Sequence, residues 1–434
     1  MSYATDNNTQ ASTHAAGHIV MARLDELARF SAEPGALTRL YLSTEHKAAA
    51  LQVQAWMHEA GMAAHIDPVG NVVGRYEGRE PGLPALLLGS HIDTVRNAGK
   101  YDGCFGVMAA IQAVTALYAE GERLPFAVEV IAFGDEEGVR FPVTLTGSRA
   151  IAGTLNAAAL DAKDTNGISI REALQQFGSN PFEIPSVSRR QAEVLGYVEL
   201  HIEQGPVLEA EGLPVGVVTA IAGASRLMAE VAGTAGHSGT VPMVLRHDAL
   251  AAAAEMILAV EQVGRSTEDL VATVGRVEAI PGAVNVIPGR TRFTIDVRCP
   301  SDAVRTAAIA RIQRELEAIA VGRGVGLRLA RSYDEAAATC AAWLIDQLSA
   351  AVARSGIKPR RLPSGAGHDG LAMVALCPTG MLFVRCAGGI SHDPAEAMTN
   401  DDADIAVRVL IDFLRHFTPA HATADQISPE GPTA

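Results

Sequence analysis

Short apolar runs alternate with amphipathic stretches along the first third of the chain. Apolar residues recur at spacings of three and four over residues 44–60 and 104–119, which predicts two helices. Continuous apolar runs over residues 85–92 and 127–133 predict two buried strands. Because strands and helices alternate, we expect an α/β fold in which helices cover a mainly parallel sheet.

The middle of the chain has a different pattern. Its predicted strands cover residues 225–233, 271–279, 290–298 and 324–331. Its predicted helices cover residues 246–263 and 301–320. The resulting order, β-α-β-β-α-β, is that of the ferredoxin-like split βαβ unit. We therefore predict a compact α+β domain over residues 223–334 that is inserted into the first domain.

After this insert the chain returns to the α/β pattern. Helices are predicted over residues 341–355 and 402–417, and a strand over residues 380–384. The predicted organisation is a discontinuous α/β domain that comprises residues 15–222 and 335–418. Residues 1–14 and 419–434 are predicted to be loose termini.

Length and composition agree with two globular domains. The 434 residues are too many for one ordinary core. Hydrophobic residues make up 48% of the chain and charged residues 19%, which excludes a disordered or fibrous protein. The formal net charge of -14 argues against a nucleic-acid partner, which would need a basic surface. A negative charge of this kind is ordinary for an acidic enzyme and indicates no particular partner.

Several features favour a cytoplasmic location. The chain has five cysteines, an odd number, and no CxxC pair, so a disulfide framework is not expected. The N-terminal residues lack the basic and apolar segments of a signal peptide. The most apolar stretches, such as residues 249–260, are too short for a membrane span. We expect neither a membrane nor a nucleic acid as partner.

Histidine and acidic residues come directly after the two buried strands of the first third. His91 and Asp93 follow the first strand, Asp102 lies in a glycine-flanked loop, and Glu136 and Glu137 follow the second strand. Since binding sites of open α/β sheets form at the carboxyl edge of the strands, these side chains should converge. An isolated His-x-Asp or an acidic turn is usually a solvated loop. The conjunction at two strand ends predicts a metal site.

Two later histidines have similar settings. Alternation places Glu199, His201 and Glu203 on one face of a strand, which is either part of a site or the polar face of an edge strand. His392 lies in a glycine-rich loop, which either approaches a ligand or is purely structural.

Seven motifs, in order over about residues 20–415, together resemble one family. They are HIDTV, YDG, GDEEGVRF, ELHIEQGP, GHSGTVPM, NVIPG with FTIDVR, and SGAGHDG with GGISHDPAE. The chain resembles the hydantoinase/carbamoylase amidases of the di-metal aminoacylase/carboxypeptidase clan, above all N-carbamoyl-L-amino acid hydrolases and allantoate amidohydrolases. The resemblance implies a di-zinc-exopeptidase-like catalytic domain with an inserted ferredoxin-like dimerisation or lid domain.

The resemblance also implies two divalent metal ions per subunit. The ligands that it assigns are His91 and His201 for one ion, Glu137 and His392 for the other, and Asp102 as the bridge. Histidine with carboxylate suits zinc, manganese, cobalt or nickel alike. Asp93 would be the carboxylate that orients the imidazole of His91.

Two residues receive catalytic roles from the resemblance. Glu136 is the general base, which takes a proton from water and passes it to the leaving nitrogen. Adjacent carboxylates in an extended segment point to opposite sides, so Glu136 and Glu137 can differ in role. His237 resembles the family histidine that reaches a neighbouring active site and stabilises the oxyanion. A histidine between glycines is otherwise a turn residue.

The remaining motifs imply substrate contacts, at Gln204, Asn285, Arg298, Gly367 and His368. Asn285 and Arg298 would hold a substrate carboxylate, for which the guanidinium fork is suited. An arbitrary arginine would more often form a surface salt bridge. Backbone amides around Gly367 would line the substrate pocket, whereas His368 either faces the substrate or stabilises its loop.

We therefore expect an amidohydrolase that cleaves the carbamoyl or ureido amide of a small carboxylate and releases ammonia and carbon dioxide. One alternative is an aminopeptidase or dipeptidase of the same fold; Gln204 after His201 favours the amidase branch. The other is a non-catalytic relative, which should have lost a ligand or the base, and none is lost here. The resemblance further implies a homodimer with active sites completed in trans. The choice between an N-carbamoyl-L-amino acid and allantoate stays open.

Overall fold

A computed structural model describes residues 15–419. The predicted loose termini lie outside the described residues, apart from Pro419. Within the described range the chain forms two compact units. The first comprises residues 15–218, 340–361 and 372–419, and the second comprises residues 219–339 and 362–371.

The first unit contains a large sheet and the helices that cover it. Its strands are β1 (Ala63–Ile66), β2 (Val72–Tyr76), β3 (Ala85–His91), β4 (Ala127–Phe133), β5 (Val194–Ile202), β6 (Val215–Ile221) and β16 (Thr379–Val384). Its helices are α1 (Ala15–Leu27), α2 (Thr44–Glu59), α3 (Cys104–Ala119), α4 (Thr146–Ile151), α5 (Ile170–Phe177), α6 (Val207–Ala210), α9 (Ala342–Arg354) and α11 (Asn400–His416). Strand β6 runs across the boundary into the second unit.

The strands of this sheet follow the order β1-β2-β4-β3-β5-β16-β6. The four central strands, β4, β3, β5 and β16, are parallel to one another. The flanking strands β2 and β6 pair antiparallel. The prediction of a mainly parallel central sheet is confirmed, and its consequence is that β3, β4, β5 and β16 end at one edge.

Burial explains why the central strands are unbroken apolar runs in the sequence. All residues of β3 and β4 are buried, as expected for strands covered on both faces. Helix α3 packs on β3, β4 and β5, and helix α11 packs on α1, α3 and α9. In the part of the chain that the structure describes, no helix has the length and apolar composition needed to cross a membrane.

The second unit is built from two long helices, three strands of ten residues each and several shorter strands. Its strands are β7 (Gly223–Ala232), β8 (Gly236–His237), β9 (Val271–Thr273), β10 (Val277–Ile280), β11 (Val286–Ile287), β12 (Arg290–Cys299), β13 (Gly326–Glu335), β14 (Ala338–Thr339) and β15 (Arg361–Ser364). Its helices are α7 (Ala249–Arg265), α8 (Asp302–Arg323) and the short α10 (Gly370–Met373), which extends past the boundary of the unit.

The main sheet of this unit follows the order β10-β12-β7-β13, with β9 also paired to β12. All its pairings are antiparallel. Strand β7 alternates between buried and exposed positions, so one face of the sheet is covered. Residues of α7 and α8 form a common core with that face. The chain order and strand order are those of a split βαβ unit.

The structure differs from the sequence-based expectation in three places. The strand predicted over residues 271–279 is divided into β9 and β10, and the intervening Arg276 bonds to Thr294 of β12 through its N–H and its carbonyl. The predicted helix over residues 246–263 begins later, because Asp248 caps it by accepting from the N–H groups of Leu250 and Ala251.

The third difference concerns residues 362–371, which the sequence placed in the first domain. They belong to the second unit. The reason is local bonding: the N–H of Ala222 donates to the carbonyl of Ser364 at 2.9 Å, and Arg298 donates to the carbonyl of Gly365 at 3.1 Å.

Candidate active site

Four parallel strand ends bring the candidate residues of the first unit together. His91 is the last residue of β3, and His201 is the residue before the end of β5. Glu136 lies three residues after β4, and His392 lies in the loop after β16. Because β5 lies between β3 and β16, it is a central strand. The alternative of a polar face on an edge strand is therefore wrong.

Asp102 lies at the centre of the cluster. Its Oδ1 is 3.1 Å from Nε2 of His201 and 3.8 Å from Nε2 of His91. Its Oδ2 is 3.1 Å from Nε2 of His392. The two oxygens of one buried carboxylate thus face different histidines, which is the arrangement that a bridging ligand needs.

Two further carboxylates complete the cluster. Oε1 of Glu137 lies 3.7 Å from Nε2 of His392, and Oε2 of Glu136 lies 4.0 Å from Nε2 of His91. Three overlapping groups offer one donor atom per residue, all within 4.8 Å of one another. They are His91, Asp102 and His201; His91, Glu136 and Glu137; and Asp102, Glu137 and His392.

The local backbone explains why Glu136 and Glu137 both face the cluster. The sequence suggested an extended segment with opposed side chains, but the segment is bent, with Asp135 at φ 69° and Gly138 at φ 60°. The carboxylate of Asp93 accepts hydrogen bonds from the N–H groups of Glu136 (3.2 Å) and Glu137 (3.4 Å). Asp93 therefore holds the bent segment in place.

The ring of His91 was expected to be oriented by the carboxylate of Asp93, but it is oriented by the backbone of that residue. Nδ1 of His91 lies 2.9 Å from the backbone carbonyl of Asp93 and 3.9 Å from its carboxylate. Likewise, Nδ1 of His201 lies 2.9 Å from the carbonyl of Ile202. Backbone carbonyls accept from Nδ1 in both rings, which leaves Nε2 as the ligand atom.

The carboxylates and histidines of the cluster shift one another's pKa values. Burial would raise the pKa of Asp102, but hydrogen bonds with His201 and His392 outweigh burial and hold this pKa well below its ordinary value. Burial and then the charge of Asp102 raise the pKa of Glu137 well above its ordinary value. Burial lowers the pKa of His201, but Asp102 outweighs it and raises this pKa to about 9. The charge of Asp102 beside the buried Glu137 is a repulsion that a bound cation would relieve.

The donor set fits divalent metal ions. Oε1 of Glu137 is buried and has no hydrogen-bond partner within residues 15–419. A buried carboxylate oxygen without a partner is costly unless a cation or proton occupies its lone pair. Imidazole and carboxylate are the ligands expected for zinc and neighbouring transition metals.

Gln204 lies at the metal-ligand cluster in this structure. Its side-chain amide donates to Oδ2 of Asp102 at 3.1 Å and to Oγ of Ser391 at 3.0 Å. It adopts φ 55°, which turns the chain at the end of β5. The sequence predicts that Gln204 contacts the substrate. The contact observed in the structure is with the carboxylate of Asp102.

One residue of the site, Glu396, was not predicted from the sequence. Glu396 is buried and accepts hydrogen bonds from the N–H groups of Tyr101 and Asp102. The signal that could have found it is an acidic residue four positions after His392, within the same GGISHDPAE motif.

His237 and Asn285 are neighbours in the second unit. His237 pairs with Val286 across the short β8–β11 ladder, and the N–H of Ser238 donates to the carbonyl of Asn285 at 3.0 Å. Both residues are exposed. Nδ1 of His237 accepts from the N–H of Gly239 at 3.0 Å, so a neutral ring carries its proton on Nε2.

Arg298 is held in the same unit by two contacts. It donates to Asp296 through Nε at 2.8 Å and Nη2 at 3.4 Å, and through Nη1 to the carbonyl of Gly365 at 3.1 Å. This ion pair is of the surface type that the sequence analysis gave as the alternative to substrate binding by Arg298. It also fixes the direction of a half-buried guanidinium next to the glycine-rich loop.

His368 and Gly367 occupy that loop with different exposures. His368 is fully buried, and its Nε2 lies 2.7 Å from Oγ of Ser364. This contact favours the loop-stabilising role over the substrate-facing one. Gly367 is exposed, so its backbone is accessible.

Comparison with known families agrees with this geometry. Residues 87–416 match the family described as Peptidase family M20/M25/M40. The chain belongs to this family. Hydrolases of this family are metal-dependent, and all six residues of the cluster lie inside the matched range.

The curated relatives and solved structures indicate which branch of the family the chain resembles. The chain is 42% identical to an N-carbamoyl-L-amino acid amidohydrolase from Geobacillus stearothermophilus, over 91% of this chain and 97% of the relative. It is 40% identical to an allantoate deiminase from Glycine max, over 92% and 89% of the two chains. A crystal structure of a hydantoinase/carbamoylase family amidase from Burkholderia multivorans is 33% identical, covers 92% and 97% of the two chains, and gives a TM-score of 0.87. The resemblance found in the motifs is confirmed.

Proposed function

We propose that this protein is a di-metal amidohydrolase that cleaves the terminal carbamoyl or ureido amide of a small carboxylate, releasing ammonia and carbon dioxide. The observation that carries the proposal is the position of Asp102, whose two carboxylate oxygens face His201 and His392 at 3.1 Å each. A single carboxylate placed in this way can serve two ions at once.

His91 and His201 would hold one divalent ion, Glu137 and His392 the other, and Asp102 both. Zinc, manganese, cobalt or nickel suits this donor set. When bound, such ions supply Lewis-acid activation of the amide carbonyl and of water.

Glu136 is the proposed general base. Its Oε2 reaches the same side of the cluster as Nε2 of His91, and its side chain is only 11% exposed. Glu136 would take a proton from the attacking water and deliver it to the leaving nitrogen. The hydrogen bond from its own N–H to Asp93 holds it in position for both transfers.

The second unit would supply the groups that hold the substrate. His237, with its proton on Nε2, can donate to an oxyanion. Asn285 and Arg298 would bind the substrate carboxylate, with the guanidinium already oriented by Asp296.

The relatives support the substrate class over the peptidase alternative. Those at about 40% identity are named for N-carbamoyl-L-amino acids and for allantoate, both of which combine a ureido group with a carboxylate. We place the enzyme in the cytoplasm. All five cysteines fall within the described residues, where each is a free and buried thiol.

A panel of substrates tests the proposal. Ammonia release would be followed with allantoate, N-carbamoyl-L-methionine, ureidoglycolate, β-ureidopropionate and a dipeptide control. We expect turnover of allantoate or the N-carbamoyl amino acid, loss of turnover on dialysis against a chelator, and recovery with one of the four metals. Undiminished turnover in a verified metal-free preparation would exclude the metal mechanism. Faster cleavage of the dipeptide would favour the peptidase alternative.

We also propose a homodimer in which His237 of one subunit completes the active site of the other. All metal-site residues lie in the first unit, whereas His237, Asn285 and Arg298 lie in the second. Co-expression of His237→Ala with Glu136→Gln tests this. Mixed dimers would contain one intact site of two, and about half the dimers would be mixed, so about a quarter of wild-type activity should return. If mixed dimers form without recovery, each subunit supplies its own His237.

A further inference from the structure

We propose that Glu396 is a positioning residue that fixes the bridging carboxylate of Asp102 relative to the loop that carries His392. The inference rests on the proposed metal site and adds a residue to it. Glu396 touches none of the candidate ligand atoms of the histidines. It acts on Asp102 through the main chain and on the His392 loop through Ser391.

The carboxylate of Glu396 is bonded on both oxygens. Oε1 accepts from the N–H of Tyr101 at 2.8 Å and from the N–H of Asp102 at 3.1 Å. Oε2 accepts from Oγ of Ser391 at 3.0 Å. The residue is only 4% exposed, so these bonds are shielded from competing water. One buried carboxylate therefore joins the loop after β3 to the loop after β16.

Ser391 extends the connection into a closed ring. Its Oγ lies 3.0 Å from Oε2 of Glu396 and 3.4 Å from Oδ2 of Asp102, so we assign its single hydroxyl proton to the closer carboxylate, that of Glu396. The serine oxygen then accepts from the amide of Gln204 at 3.0 Å, and the same amide donates to Oδ2 of Asp102 at 3.1 Å. The ring begins and ends at Asp102, at its backbone N–H and at its carboxylate, so both ends of this residue are fixed.

Gly99 shows how closely Glu396 packs on this loop. A Cβ atom added at Gly99 would lie 2.4 Å from Cβ, Cδ and Oε1 of Glu396. Real Cβ atoms do not approach other atoms so closely. Only a glycine at this position lets the carboxylate reach the N–H groups of Tyr101 and Asp102.

The need for such a residue follows from where the ligands lie. His91 and His201 are on strands and are each 1% exposed, so the sheet fixes them. His392 lies in a loop, its side chain is 51% exposed, and its backbone has φ 57°. Metal sites require ligand positions within about 0.2 Å. A loop ligand meets that requirement only if other contacts fix the loop, and Glu396 supplies them.

Three variants test the inference by metal affinity, measured by competition with a chromophoric chelator. Glu396→Ala removes all three hydrogen bonds, and we expect the weaker-bound ion to bind about 10- to 100-fold less tightly. Glu396→Gln keeps an acceptor oxygen for both N–H groups, and its amide can donate to Ser391. We therefore expect affinity within a few-fold of wild type.

Asp404→Ala is the control. Asp404 is also a buried carboxylate bonded on both oxygens, by the N–H of Gly17 at 3.4 Å and by Nε of Arg408 at 3.0 Å. Gly17 lies on α1 and Arg408 on α11, and neither helix carries a candidate ligand. We expect Asp404→Ala to lower the unfolding midpoint as Glu396→Ala does, while leaving metal affinity unchanged.

The outcomes separate the inference from the proposed function. If the wild-type protein binds no metal, the proposed function fails. If it binds metal and Glu396→Ala binds it equally well, or if Asp404→Ala weakens binding to the same degree, the positioning role of Glu396 is overturned. If Glu396→Ala does not fold, Gly99→Ala, which displaces the same carboxylate by packing, takes its place with the same expected loss.

Discussion

Replacing Gly103 by alanine should disable the metal site while leaving the fold in place. Gly103 directly follows Asp102 and caps the start of helix α3, with φ 61° and ψ -52°. A Cβ atom at this position would lie 2.4 Å from Cδ2 and Nε2 of His91 and 2.5 Å from its Cε1. The added methyl group would thus collide with the proposed ligand atom itself.

The size of the effect follows from these distances. Ordinary van der Waals contact begins at about 3.4 Å, so the imidazole of His91 must move by about 1 Å. Such a shift is several times the tolerance of about 0.2 Å for metal–ligand distances. A misplacement of about 1 Å can also cost about a hundredfold in turnover. The unusual backbone conformation adds a stability cost of about 1–3 kcal/mol for a residue with a side chain.

The matched control lies at the other end of the same helix. Gly121 has φ 65°, and a Cβ atom added there would meet nothing within 4 Å. Gly121→Ala therefore also places a side chain at a positive φ, but without the collision. We expect both variants to lose stability in urea unfolding, but only Gly103→Ala to lose metal affinity, by at least about tenfold. Wild-type metal affinity in folded Gly103→Ala, or an equal loss in Gly121→Ala, would refute the reasoning.

Three further predictions concern the base, the substrate carboxylate and a buried histidine. Glu136→Gln should keep its metal content and lose about a hundredfold or more in kcat, whereas Glu137→Gln should lose one ion, as read by elemental analysis. Arg298→Lys should raise KM for carboxylate substrates more than it lowers kcat, because a point charge replaces the oriented fork. Burial holds the pKa of His46 at about 3, below the 6.5 of unfolded histidine. The neutral ring is favoured in the fold, so stability is full above pH 6.5 and falls as the pH drops toward 3. Between pH 7 and pH 5 this residue should cost about 2 kcal/mol of unfolding free energy, which His46→Gln should not show in urea titrations.

Each of these predictions has an outcome that contradicts it. Equal metal loss in both glutamate variants, with turnover kept in Glu136→Gln, would reject Glu136 as the base. An unchanged KM in Arg298→Lys would remove this arginine from the substrate site. If His46→Gln lost as much stability between pH 7 and pH 5 as the wild type, another group would be responsible for the acid sensitivity.

The parallel core and the strand-borne part of the site could be predicted from the sequence. Buried parallel strands are continuous apolar runs, and their shared edge follows from their direction, so the convergence of His91 with the residues that follow β4 was predictable. The identity of the branch was predictable as well, because seven motifs keep their order along the chain.

The loop-borne part could not be predicted in the same way. No periodicity indicates that Asp135 adopts φ 69°, so Glu136 and Glu137 were expected on opposite sides when in fact both face the cluster. The same limit applies to Glu396, whose partners are backbone N–H groups far away in the sequence. Backbone hydrogen bonds leave no mark on the identity of the residues that donate them.

This division has a consequence for how the site is stabilised. The sheet holds the ligands on its strands in place through hydrogen bonds that the fold itself requires. The loop-borne ligands need dedicated contacts: the carboxylate of Asp93 for Glu136 and Glu137, and that of Glu396 for the His392 loop. Each of these supports is a buried carboxylate that accepts backbone N–H groups at the cost of its own desolvation. The acidic character of this edge therefore exceeds what metal binding alone requires, since part of it serves to hold the backbone of the loops.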